Sequence, residues 1–142
     1  MTDLIENIVV DTNIVISALI KDSLTRELII KSKKNLLLPE MALYELKKNE
    51  REILEKSGLS KVSYEKLVFK LLSYMKFIPK NLTEEHHEEA FKIIGHLDKE
   101  DVVFVSIALA FDNCAIWSDD KHFKQQSRVK VFTTSEFLVS LA

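Results

Sequence analysis

Glycine is nearly missing from this chain: two residues among 142, Gly58 and Gly95. A Walker-type phosphate loop and a G-x-G-x-x-G dinucleotide turn each need several glycines close together, so both are excluded. Cys114 is the single cysteine, which leaves no internal disulfide to form and fits a reducing, cytoplasmic setting. The longest apolar stretch, Val102 to Phe111, is interrupted by Ser106 and falls far short of the ~20 residues that cross a bilayer. The opening Met1-Thr2-Asp3 carries no basic n-region, so no signal peptide is expected. Nor does one charge sign dominate. Twenty basic side chains face twenty-two acidic ones, a net charge of −2, which argues neither for nor against a nucleic-acid partner.

What remains is the composition of an ordinary globular domain, with 46% apolar and 30% charged residues. One domain over residues 1–142 is expected, long enough to bury roughly two-thirds of its unfolded surface without disulfides or metals as staples. Two apolar patterns alternate along it. Ile8-Val9-Val10, Leu36-Leu37-Leu38, Phe77-Ile78, Ala115-Ile116-Trp117 and Val129 to Phe132 are short runs of the kind buried on both faces of a parallel sheet. Between them, helical spacing predicts helices near 13–20, 24–34, 40–56, 61–75, 84–94, 99–112 and 135–141. Pro39 starts the 40–56 helix, Ser57-Gly58 stops it, Ser60 caps the next, Thr83 opens another and Gly95 closes it. Strands alternating with helices predict a three-layer α/β/α sandwich around a parallel sheet of about five strands.

In such sheets ligands bind beyond the carboxyl ends of the strands, where strand order reverses. Asp11 directly follows the first strand, Asp119 and Asp120 follow the fourth, and Asp98, Glu100 and Asp101 open the helix leading into it. Clustered carboxylates repel one another and raise each other's pKa. Such a group is costly unless a cation occupies it, and hard divalent ions such as Mg²⁺ or Mn²⁺ take oxygen ligands of this kind. Metal-assisted phosphodiester hydrolysis is the chemistry that follows. Structural roles compete at each position. Asp11 can cap the next helix, Asp98 and Asp101 match a D-x-x-D capping box, and one of the adjacent Asp119 and Asp120 can be a turn former. Glu40 and Glu45 lie about 140° apart around their helix, too far to enter one cleft easily, and spacing does not choose between them.

These residues resemble the motifs of the PIN domain, the metal-dependent ribonuclease fold of VapC-type toxins and RNA-processing nucleases. Ile8 to Leu19, with Asp11-Thr12-Asn13, is similar to the first motif. Pro39 to Leu46 resembles the second, whose helical Glu falls on Glu45. Asp98 to Ala110 resembles the third, with the metal-site acid on Asp101 and an upstream acid on Asp98. Trp117 to Phe123 resembles the fourth, whose register falls on Asp120, although the extra acid Asp119 leaves both open. His122 stands where an acidic residue is frequent, which weakens any metal contribution from that position. The resemblance covers Ile8 to about Phe137. It implies Asp11, Glu45, Asp101 and Asp120 as catalytic residues, with Asp11, Asp101 and Asp120 on Mg²⁺ or Mn²⁺. Asn13 and Ser118 are implied as groups steadying carboxylates or water. RNA substrate, a homodimer and an antitoxin partner come with it.

Other constellations are weaker. His86-His87-Glu88-Glu89 lacks the H-E-x-x-H spacing and reads as a solvated turn. His96 reads as exposed, and Cys114 as core. The lysines at 31, 33 and 34, with Lys47, Lys48 and Arg51, read as solvated surface, and Trp117 and the eight phenylalanines as core. A catalytically silent PIN-like module binding RNA or protein is the alternative. A phosphorylated receiver domain is disfavoured because no Lys follows the fifth strand.

Overall fold

The computed structural model describes residues 4–20 and 23–142; the Met1-Thr2-Asp3 opening lies outside the described residues. Successive side chains along each strand enter opposite apolar layers, as a period of two requires when both faces are covered. In β1 (Asn7–Val10) Ile8 and Val10 enter one apolar layer and Val9 the other. In β2 (Asn35–Pro39) Leu36 and Leu38 face the first layer and Leu37 the second. β3 (Met75–Ile78), β4 (Cys114–Trp117) and β5 (Lys130–Phe132) complete the sheet. All pairings are parallel, in the order β3-β2-β1-β4-β5. The chain runs outward from β1 to β3, then returns to lay β4 on the other side of β1. The switch point therefore lies between β1 and β4, where Val10 pairs with Trp117.

Helices cover both faces, giving the three-layer α/β/α architecture. One layer holds α1 (Thr12–Ile20), α2 (Ser23–Lys31), α3 (Glu40–Lys48), α4 (Glu50–Ser57) and α5 (Lys61–Leu72). On the other lie α6 (Lys80–Thr83), α7 (His87–Ala90) and α8 (Val102–Ala110). α9 (Thr134–Ser140) returns to the first layer through Phe137. Phe137 packs on Trp117 with ring centroids 4.6 Å apart, and burial of such rings contributes about 1.5–3 kcal/mol each.

Several predicted boundaries shift. The 40–56 helix is two helices: Asn49 bonds its side-chain amide to the Glu45 carbonyl at 2.9 Å, and this local competition breaks the run. The 24–34 helix stops at Lys31, and Lys33 takes a left-handed φ of 58°. Met75, expected in a helix, begins β3. The 84–94 segment is a sequence of short helical turns of different pitch. Thr83 does not cap it; its hydroxyl donates back to the Lys80 carbonyl at 3.0 Å. Gly95 is not left-handed. A Cβ there would stand 2.5 Å from the Phe91 ring, so close approach explains this glycine. Gly58 does end α4 with φ 69°, and Ser60 does cap α5.

Candidate active site

The acids arrive by distinct local routes. Asp11 follows β1 and starts α1: its Oδ1 accepts the Asn13 N–H at 3.2 Å and its carbonyl accepts the Ile14 N–H at 2.9 Å. Its Oδ2 accepts the Ser118 hydroxyl at 2.7 Å. Asp11 is thus both a helix starter and the bridge between the ends of β1 and β4. The Ser118 hydroxyl oxygen also accepts the Asp120 N–H at 3.0 Å. Asp120 Oδ1 in turn accepts the His122 N–H at 2.9 Å and begins the helical turn Lys121–Gln125. Asn13 contributes its backbone here; the residue itself is exposed.

Asp98 Oδ1 accepts the Glu100 N–H at 2.9 Å and opens the tight turn Lys99–Asp101. The reciprocal capping box does not form, because the Asp98 N–H bonds to the Ile94 carbonyl at 3.1 Å. Asp101 is released into the interior at 7% exposure, and its Oδ2 has no hydrogen-bond partner. Glu45 reaches in from α3, where Thr12 donates to its Oε1 at 3.4 Å. Asp119 turns to α9 instead. Its two oxygens accept the Thr134 N–H and hydroxyl, both at 2.7 Å, while the Trp117 indole donates to the same hydroxyl at 3.0 Å.

Electrostatics tie these groups into one site. Burial pushes Asp101 up to about 7, with the charges of Asp98, Asp120 and Asp11 adding to the rise and His122 opposing it. Asp11 is raised chiefly by burial and further by Asp120 and Asp119, against the Ser118 and Asn13 hydrogen bonds. Burial also raises Glu45, and Glu100 and Asp11 repel its charge. The folded state therefore holds protons that the unfolded chain releases. For Asp101 the window runs from the ordinary value near 3.8 to about 7, and stability falls as pH rises through it. In the presence of a chelator, the melting temperature is expected to be higher at about pH 5.5 than at pH 7.5. Differential scanning calorimetry on wild type and Asp101→Asn checks this, since the variant should show a shallower dependence.

The cluster fits a hard divalent cation. A buried carboxylate oxygen without a donor, ringed by like charges, is stabilised most directly by a positive ion with open coordination positions. Asp11, Asp119 and Asp120 border a pocket of about 290 Å³ with Asn13, Ile14 and Ser17. On the other side, Glu45 and Glu100 enter a larger groove of about 790 Å³. Glu40 lines that same groove, so the expectation that Glu40 and Glu45 avoid a common cleft is corrected: the groove spans the helix flank. Glu45 is the one that meets Thr12 and senses Asp11.

The remaining groups separate clearly. His96 is exposed. Burial pushes the Cys114 thiol up to about 12, which makes it inert as a nucleophile. Phe69 and Phe91 are exposed rather than core. Two participants escaped the sequence reading. Thr12 reaches Glu45 across 33 positions of chain. His122, discounted as a metal-binding position, has Nδ1 within 3.4–3.9 Å of Asp120, Asp101 and Asp98. Its place two residues beyond Asp120 was the available signal.

Fold and site together define a parallel α/β protein with an acidic pocket at its switch point. The chain belongs to the PIN-domain family, whose model matches residues 9–142. Among solved structures, VapBC2 from Rickettsia felis bound to a DNA fragment from its promoter is similar in fold. The TM-score is 0.63 at 17% identity, over 89% of this chain and 98% of that one. No curated protein matches the sequence.

Proposed function

We propose that this protein is a metal-dependent endoribonuclease, hydrolysing RNA phosphodiester bonds as the toxin of a toxin–antitoxin pair. The observation that carries the reading is the unpartnered, buried Oδ2 of Asp101 among the charges of Asp98, Asp120 and Asp11. Asp11, Asp101 and Asp120 would hold Mg²⁺ or Mn²⁺. When bound, such an ion lowers the pKa of a water and stabilises charge on a phosphoryl oxygen. Ser118 aims Asp11 through its 2.7 Å hydrogen bond and opposes the rise that burial imposes on this carboxyl. Glu45, raised by burial and by its acidic neighbours, is placed to take a proton from the attacking water.

The groove beside Glu45 is lined by Lys48, Lys80 and Lys99 and also by Glu40, Glu45, Glu84 and Glu100, so individual lysines rather than its overall charge would meet RNA phosphates there. Charge reversal at Lys48 and Lys80 together is expected to weaken RNA binding and flatten its salt dependence. Each lost phosphate contact should lower the log–log slope by about 0.7 for a single strand. Filter-binding titrations at several salt concentrations measure it. Partners follow from the same reading: a small antitoxin covering the pocket, and a second copy of the chain. The exposed Met41, Tyr44 and Phe69 on α3 and α5 support protein contacts there. No described helix is long and apolar enough to cross a membrane, and a cytoplasmic site of action accords with an RNA substrate. The decisive experiment incubates mixed RNAs with the protein in Mn²⁺, Mg²⁺ or chelator. Cleavage dependent on the ion supports the proposal; RNA binding without cleavage under every condition makes the chain a silent module instead.

A further inference from the structure

We propose that His122 is the nitrogen ligand of a cation position shared with Asp98 and Asp101, and that it makes this centre select a borderline transition ion over Mg²⁺. The inference rests on the metal-centre reading above, with which this position shares Asp101, and concerns which ion is held there. Ligand atoms of Asp98, Asp101 and His122 all lie within 4.8 Å of one another. Two of these atoms have no hydrogen-bond partner although they are buried: Asp101 Oδ2 and His122 Nδ1. The Asp101 side chain is itself only 10% exposed.

Their separation is informative. His122 Nδ1 stands 3.4 Å from Asp120 Oδ1 without a hydrogen bond to it, 3.8 Å from Asp101 Oδ2 and 3.9 Å from Asp98 Oδ2. The Asp101 and Asp98 gaps are too long for a hydrogen bond. Yet two ligands each bound at roughly 2.1 Å can lie up to about 4.2 Å apart across one ion, and both gaps fall inside that limit. Asp98 Oδ1 is committed to the Glu100 N–H, which leaves Oδ2 to face the imidazole. The His122 backbone N–H is held by Asp120 Oδ1 at 2.9 Å, so the ring is delivered by the same turn that places Asp120.

Chemistry then sets the preference. Carboxylate and water satisfy Mg²⁺ and Mn²⁺ alike, whereas an imidazole nitrogen favours transition ions, with affinity rising from Mn²⁺ to Co²⁺. A purely acidic pocket would follow the same order among transition ions but separate them less from Mg²⁺.

Isothermal titration of the full chain with Mg²⁺, Mn²⁺ and Co²⁺ tests the assignment without any activity measurement. Wild type is expected to bind Mn²⁺ at least about tenfold more tightly than Mg²⁺, and Co²⁺ more tightly still. His122→Ala should lose most of that preference, its Mn²⁺ and Co²⁺ affinities falling further than its Mg²⁺ affinity. Pulsed electron paramagnetic resonance of the Mn²⁺-loaded wild type should show coupling to a directly bound nitrogen, absent in His122→Ala and in His122→Asp. The wild-type spectrum stands even if a variant misfolds. Mn²⁺ binding that Asp101→Asn abolishes, with no nitrogen coupling in wild type, overturns the role of His122 and leaves the nuclease reading intact. No binding of any of the three ions overturns both.

Discussion

Asp11→Asn and Asp101→Asn should each lower metal-dependent RNA cleavage by at least about 100-fold, equivalent to ~2.7 kcal/mol of transition-state stabilisation. Asparagine keeps the shape and an acceptor oxygen, so Ser118 still has a partner at position 11 and the far-UV circular dichroism should be unchanged. What disappears is charge. The same substitution at 101 should raise the melting temperature of the chelated protein near pH 8, because an ionised Asp101 is the group that burial and three neighbouring acids disfavour most. Loss of activity together with a gain in stability separates a site held under electrostatic strain from a merely structural residue, whose removal lowers both. Wild-type cleavage rates in both variants would refute the assignment of these acids.

The second large effect is stabilisation by the ion itself. At about 100 times its dissociation constant, Mn²⁺ should add ~2.7 kcal/mol, a rise of roughly 5–10 °C for a domain of this size. The gain should shrink sharply in Asp11→Asn and Asp101→Asn, because each removes a ligand along with a repulsive charge. Thermal melts in millimolar Mn²⁺ and in chelator measure it, and coincident curves for wild type would count against a cation at this site.

Much of the fold was legible because burial on both faces of a sheet writes continuous apolar runs. Ile8 to Val10 and Ala115 to Trp117 could be little else, and their neighbours had to be helices. Helix boundaries were less legible where a local hydrogen bond competes with the run. Asn49 breaks a helix through its bond to the Glu45 carbonyl, and nothing in the periodicity of 40–56 announces it. Thr83 failed as a cap because its hydroxyl turned backward to Lys80. At the site, the positions of Asp11, Asp101 and Asp120 at strand and helix ends could be read directly. Which way Asp119 and His122 turn could not.

Composition and pattern alone determined an α/β fold without nucleotide loops, and delivered carboxylates to the switch point of its sheet, because strand ends and apolar periodicity are local properties. Tertiary structure alone decided the division of labour among those side chains. Thr134 ties both Asp119 oxygens to α9 at the pocket's edge, Thr12 meets Glu45, and His122 turns a nitrogen without a hydrogen bond toward Asp120, Asp101 and Asp98. These outcomes depend on distances between segments far apart in the chain, which are set only when both apolar layers close on the sheet.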